Sequence, residues 1–124
     1  MEILILIFLL QVKHYYADFA IQSYEQTVCK GTYGNLIGIS HSCDHIIATL
    51  VALLLANFFI PITTKLILVL ALAEGLCHYH IDWVKMHFGV KNMQTSKFWN
   101  QFGLDQLAHQ VTYLVMVYFI ITAQ

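Results

Sequence analysis

Four His/Asp pairs at a spacing of four residues carry the chemistry this chain can do: His14/Asp18, His41/His45, His78/Asp82 and Asp105/His109. Residues i and i+4 lie on one helix face, a turn apart. Each pair sits inside or at the end of an apolar stretch, where ionisable groups are expensive and point to function. Mixed imidazole and carboxylate ligands suit Zn, Mn or Fe(II) better than Ca or Mg. Two ligands at i,i+4 chelating one ion is the geometry of H-E-x-x-H helices. Five His and three Asp make eight candidate ligands. One zinc takes about three or four from protein, so the set serves one or two divalent transition ions per chain.

The elements that must position these pairs follow from composition. Of 124 residues, 59% are hydrophobic and 10% charged, and the mean hydropathy is +0.67. Soluble domains carry roughly 25% charged residues. The expected fold is an all-α membrane protein, a four-transmembrane-helix bundle forming a single domain over residues 1–124. The spans are read as about Ile3–Gln22, Leu36–Ile60, Ile62–Lys85 and Gln101–Ile121, each near the roughly 20 residues a crossing needs. Pro61 marks a tight connection near a helix start. The Ser23–Asn35 and Met86–Asn100 segments read as polar loops. A net charge of -1 without any basic stripe excludes nucleic acid. Cys29, Cys43 and Cys77 are odd in number and not spaced as C-x-x-C, so they read as reduced structural thiols. A cleaved signal peptide competes for Ile3–Leu10, but Glu2 replaces the usual basic start and no A-x-A site follows. The first helix is therefore expected to stay, with His14 and Asp18.

Lys30, Lys85, Lys91 and Lys97 share one side of such a hairpin arrangement, with Lys65 and both termini on the other. The positive-inside rule puts the first and third loops in the cytoplasm and the termini outside. Tyr24, Tyr33, Trp83, Phe98 and Trp99 form an aromatic belt on the same side. All four pairs then fall one to two turns below that surface, in a slab about 6–12 Å deep.

Asp18, Asp82 and Asp105 together cost most of ~10 kcal/mol if unpaired at the bilayer centre. No arginine exists to neutralise them, and the lysines mostly fall in loops, so a divalent ion is the natural compensator. The bland alternative is interhelical glue by hydrogen-bonded polar residues. It accounts readily for one pair and poorly for four pairs at one depth. His80 and His87 fall off the paired face and read as interfacial. Glu74, one turn deeper than His78, reads either as a supporting carboxylate or as a protonated core residue. Asp44 reads as a helix-start or packing residue.

The motifs H-x-x-x-D-F-x-x-Q at His14–Gln22, H-x-x-x-H at His41–His45, H-x-x-x-D-x-x-K at His78–Lys85 and D-Q-x-x-H at Asp105–His109 form an ordered set. With them the chain resembles the small multi-pass membrane proteins of bacteria and phages known as domain of unknown function 3307, over nearly its whole length. It is more loosely similar to bacterial membrane-bound metal-dependent hydrolases. The resemblance implies a protein of the bacterial inner (plasma) membrane and carries no known reaction. Gln22, Lys85 and Gln106 match its pattern, as amides that orient ligands and a lysine that meets an anionic headgroup.

Three functions remain open. The first is metal-dependent hydrolysis of a lipid-linked phosphate or ester at the cytoplasmic face, two ions generating hydroxide and clamping the reacting oxygens. Asp105 and Asp82 are then the candidate catalytic residues, and Lys85 and Lys30 the candidates for holding a phosphate. The second is a transporter or sensor of metal or protons, which needs polar groups continuing to the other face. The third is a non-catalytic phage membrane protein whose pairs are structural. The implied partners are the lipid bilayer and a lipid-linked substrate, with homo-oligomerisation also open.

Overall fold

A computed structural model describes residues 1–124. The chain is all-helical: α1 (Glu2–Tyr15), α2 (Tyr24–Cys29), α3 (Leu36–Ala56), α4 (Thr64–Phe88) and α5 (Ser96–Thr122). A π-helical turn, Tyr16–Ala20, extends α1, and Ile21 N–H donates to Tyr16 O at 3.1 Å across it. Four segments are long and apolar enough to cross a membrane: Glu2–Ala20, Leu36–Ala56, Thr64–Phe88 and Ser96–Thr122. These mark a multi-pass membrane protein.

Local sequence explains the boundaries. Asn35 caps α3 by accepting from Ile37 N–H, Thr63 caps α4 and Thr95 caps α5. Short polar side chains at these positions satisfy the free first-turn N–H groups. Ser23 and Gln26 form a reciprocal capping box at the start of α2. The expected Ser23–Asn35 loop therefore contains a helix. Both α4 and α5 also run past their expected ends at this face of the bundle, to Phe88 and from Ser96.

The long helices form a ring in which α3 packs on α1 and α4, and α5 on α4 and α1. Small residues let the backbones approach. Ala17, Ala52, Ala56 and Ala71 are buried, and at Gly75 a Cβ would lie 2.3 Å from Ile46 Cγ1 on α3.

The interior is divided lengthwise. Leu6, Leu10, Leu53, Ile67, Leu70, Met116, Val117 and Ile120 fill one half. The other half is polar. Outside, Phe8, Leu54, Leu72, Leu76, Leu114 and Tyr118 are exposed. A polar interior under an apolar exterior suits lipid as the surrounding solvent, because buried polar groups must find partners within the protein.

Candidate metal centre

The polar half begins at the π turn. Such turns occur often at functional sites, and this one carries Asp18. Its Oδ1 lies 3.0 Å from both His41 Nε2 and His45 Nε2, and 3.4 Å from His78 Nε2. Two helices, α3 and α4, thus aim three imidazole nitrogens at one carboxylate oxygen. Donor atoms of Asp18, His41, His45 and His78 all fall within 4.8 Å of one another, as do those of His78, Asp82 and His109. Asp82 Oδ2 lies 3.3 Å from His78 Nε2, and Asp82 Oδ1 lies 3.7 Å from His109 Nε2. Asp105 Oδ1 completes the α5 side, 3.8 Å from His109 Nε2.

These groups can hold a metal ion. His41, His45, His78 and His109 are each at most 1% exposed. His78 Nδ1, His109 Nε2 and Asp105 Oδ1 have no hydrogen-bond partner. Buried polar atoms are rarely left so. Neutral imidazoles and carboxylates in one dry cluster are a donor set for a borderline transition ion.

The whole-chain comparison agrees with the motif pattern. The family described as "Protein of unknown function (DUF3307)" matches over residues 5–124. The chain belongs to the DUF3307 family. No curated protein and no solved structure matches it.

Below the imidazoles, this DUF3307 chain has a further polar layer. Glu74 Oε1 accepts from Lys13 Nζ at 2.6 Å, and Glu74 Oε2 accepts from Thr49 Oγ1 at 3.0 Å. Tyr113 donates to Glu74 Oε1 at 3.5 Å, and the Lys13 ammonium lies 4.6 Å from the Tyr113 ring centre. Lys13 Nζ is also 3.2 Å from His45 Nδ1. Lys13, Glu74 and Thr49 are all buried. Lys13 and Tyr113 were not among the residues singled out from the sequence. Tyr113 had a readable signal: it continues the four-residue spacing past His109, as Thr49 does past His45.

A strap of polar residues covers the opposite side of the centre. Gln22 Nε2 lies 2.7 Å from His41 Nε2, and Thr27 donates to Gln22 Oε1 at 2.9 Å. Gln26 donates to Asp44 at 2.7 Å, which gives Asp44 a role in holding the strap. Lys30, at the end of α2, brings its Nζ to 3.0 Å from Asp82 Oδ2. Lys30 is buried, so it does not stand at the surface as a headgroup contact. Gly38 makes this approach feasible, since a Cβ there would meet the Lys30 Cα at 3.0 Å.

Other expected site residues are placed as follows. His14 has both nitrogens engaged, Nδ1 at 2.8 Å from Tyr113 Oη and Nε2 at 2.9 Å from Gln106 Oε1. Its Nε2 also lies 3.4 Å from Asp18 Oδ2, so the pair stays in contact while Asp18 Oδ1 faces α3 and α4. Gln106 donates to Asp105 Oδ2 at 3.2 Å. Lys85 and Asp105 line a cleft of about 460 Å³ between α4 and α5, with Val84, Phe88, Gln101 and Leu104. His80 and His87 are not buried and contact Tyr33 and Gly31 O.

Proposed function

We propose that this protein is a metal-dependent membrane hydrolase that acts on a lipid-linked phosphate or ester. In this reading it resides in a bacterial plasma membrane, with the centre near the cytoplasmic face. The observation that carries the reading is the α4/α5 cleft, which joins a cation, Lys85, to a buried carboxylate, Asp105, at the edge of the His/Asp cluster. Asp18, His41, His45 and His78 would hold the ion, with Asp82 and His109 beside them. Such an ion supplies Lewis acidity toward a phosphoryl or carbonyl oxygen and makes water a stronger acid.

The chain's own groups supply the rest. The Lys85 ammonium has no carboxylate partner and packs 5.4 Å from the Phe102 ring centre. It is free to bind an anionic headgroup as a point charge. Gln106 fixes Asp105 through Oδ2. Asp105 Oδ1, without a partner, is the atom that takes a proton from attacking water. Leu104, Val84 and Phe88, exposed on the outer face of the bundle, offer an apolar rim to a lipid chain. The second candidate carboxylate, Asp82, is paired with Lys30, which leaves it poorly suited to proton transfer.

Transport is the weaker alternative. The polar groups reach only as deep as Thr49, Glu74 and Tyr113, and the apolar half then closes the bundle. The test is a panel of phospholipids and isoprenoid phosphates in detergent, with protein loaded with Zn or Mn. Turnover that chelation abolishes is expected. No turnover on any substrate by fully loaded protein would leave a sensing or structural role ahead.

A further inference from the structure

We propose that the centre takes one divalent ion, and that the ammonium of Lys30 occupies the place a second ion would need. The inference rests on the metal-centre reading above and fixes its stoichiometry.

Two observations carry it. The first is position. The second group of donors is His78, Asp82 and His109, and it shares His78 with the first. Its carboxylate is already engaged, with Lys30 Nζ 3.0 Å from Asp82 Oδ2 and both side chains buried. An ammonium there meets the oxygen that a second ion would use. The strap holds it in place, through Gln22 on His41 and Gln26 on Asp44. At the first group, Asp18 with His41, His45 and His78, the Lys13 ammonium meets His45 through Nδ1 at 3.2 Å and leaves Nε2, which faces Asp18, clear.

The second observation is charge. The polar half encloses four carboxylates, Asp18, Glu74, Asp82 and Asp105, whose side chains are each at most 6% exposed. It encloses two ammoniums, Lys13 and Lys30. With neutral imidazoles, two negative charges remain. One divalent ion cancels them. A second would leave an equal positive excess in a low-dielectric interior, where uncompensated charge is strongly disfavoured. Lys13 cannot take the role of Lys30, because Glu74, itself held by Thr49, keeps it one layer deeper.

Removing the Lys30 charge should therefore open the second position. The experiment measures zinc per chain by elemental analysis after equilibrium dialysis of purified full-length protein against buffered zinc. Wild type and Lys30→Arg should hold one ion. Lys30→Met, which keeps the apolar stem, should approach two. Asp82→Asn should stay at one, because the first group does not include Asp82. It also reports on the site if Lys30→Met fails to fold. Two ions on wild type would overturn the inference and leave the hydrolase reading standing. One ion on folded Lys30→Met, or none on folded Asp82→Asn, would overturn it as well. A wild type that binds no zinc would remove both this inference and the reading beneath it.

Discussion

The imidazoles of His45 and His78 stack with ring centres 3.4 Å apart and 24° between their planes. Both Nε2 atoms face Asp18, and both Nδ1 atoms face Glu74, at 3.6 and 3.7 Å from its Oε1. One carboxylate thus lies above the rings and another below. A ligating His commonly directs its second nitrogen at a carboxylate, which sets ring orientation and basicity. Glu74 stands where it serves two such rings, and Lys13 holds it there.

That arrangement predicts a strong coupling. Glu74→Gln keeps the shape but leaves the Lys13 ammonium buried without its counter-ion. Removing one partner of a buried pair costs about 3–5 kcal/mol. Thermal unfolding in detergent should show this loss, and adding Lys13→Met should restore more than half of it. Additive losses in the double variant would mean that the two residues act independently.

Metal removal separates ligands from their neighbours. His41→Ala and His45→Ala should lower ion content and melting temperature together, because binding couples to folding. Chelator should then erase most of their difference from wild type. His14→Ala should lose stability yet keep its ion, since Tyr113 and Gln106 already occupy both His14 nitrogens. Elemental analysis beside melting curves with and without chelator decides it. A wild-type melting temperature unmoved by chelation would count against any bound ion.

The four spans were legible because each is a long apolar run, and the four-residue spacing marked one face of each. Other features were not. The π turn has no composition of its own, so nothing in His14–Gln22 foretold that Asp18 would turn Oδ1 to α3 and α4 while Oδ2 stays by His14. Lys13 lies between Val12 and His14 in the last turn of α1, where no neighbouring residue marks it as inward-facing. Its pairing with Glu74, an opposite charge at matching depth on another helix, is one only the packed bundle displays. The loop position of Lys30 reads as outward, because loops usually lie at the surface. The capping box at Ser23 and the close approach at Gly38 fold that segment inward instead.

Gly75 tests the packing that brings α3 and α4 together. A Cβ there would come within 2.3 Å of Ile46 Cγ1 and 2.7 Å of Ile46 Cδ1. Overpacking of this kind costs about 1–3 kcal/mol. Gly75→Ala should lower the melting temperature and weaken ion retention, because Ser42, Ile46 and the ligand His45 share this seam. Adding Ile46→Ala should recover part of both.

Orientation has an independent check. In a cysteine-free background, single cysteines at Thr32 and Asn92 should resist an impermeant thiol reagent in intact cells and react after permeabilisation. The lysine bias on those loops motivates this. Labelling in intact cells would reverse the topology and move the centre to the outer face.

Asp105 and Lys85 should separate chemistry from binding. Asp105→Asn retains an oxygen for the Gln106 donor, so the local contact persists while the proton-accepting charge is lost. General base catalysis contributes about 10²–10⁴ in rate, and kcat on the lipid-linked substrate should fall by that order with the fold intact. Lys85→Ala removes a cation that meets the headgroup in both ground and transition states. A contact made equally in both changes KM and spares kcat, so KM should rise several-fold while kcat holds. Steady-state kinetics on ion-loaded protein of equal metal content reads both. The pairing matters more than either value. If both variants lost kcat alike, Lys85 would belong to the chemistry. If Asp105→Asn turned over at the wild-type rate, the cleft would be a lipid contact with no catalytic carboxylate.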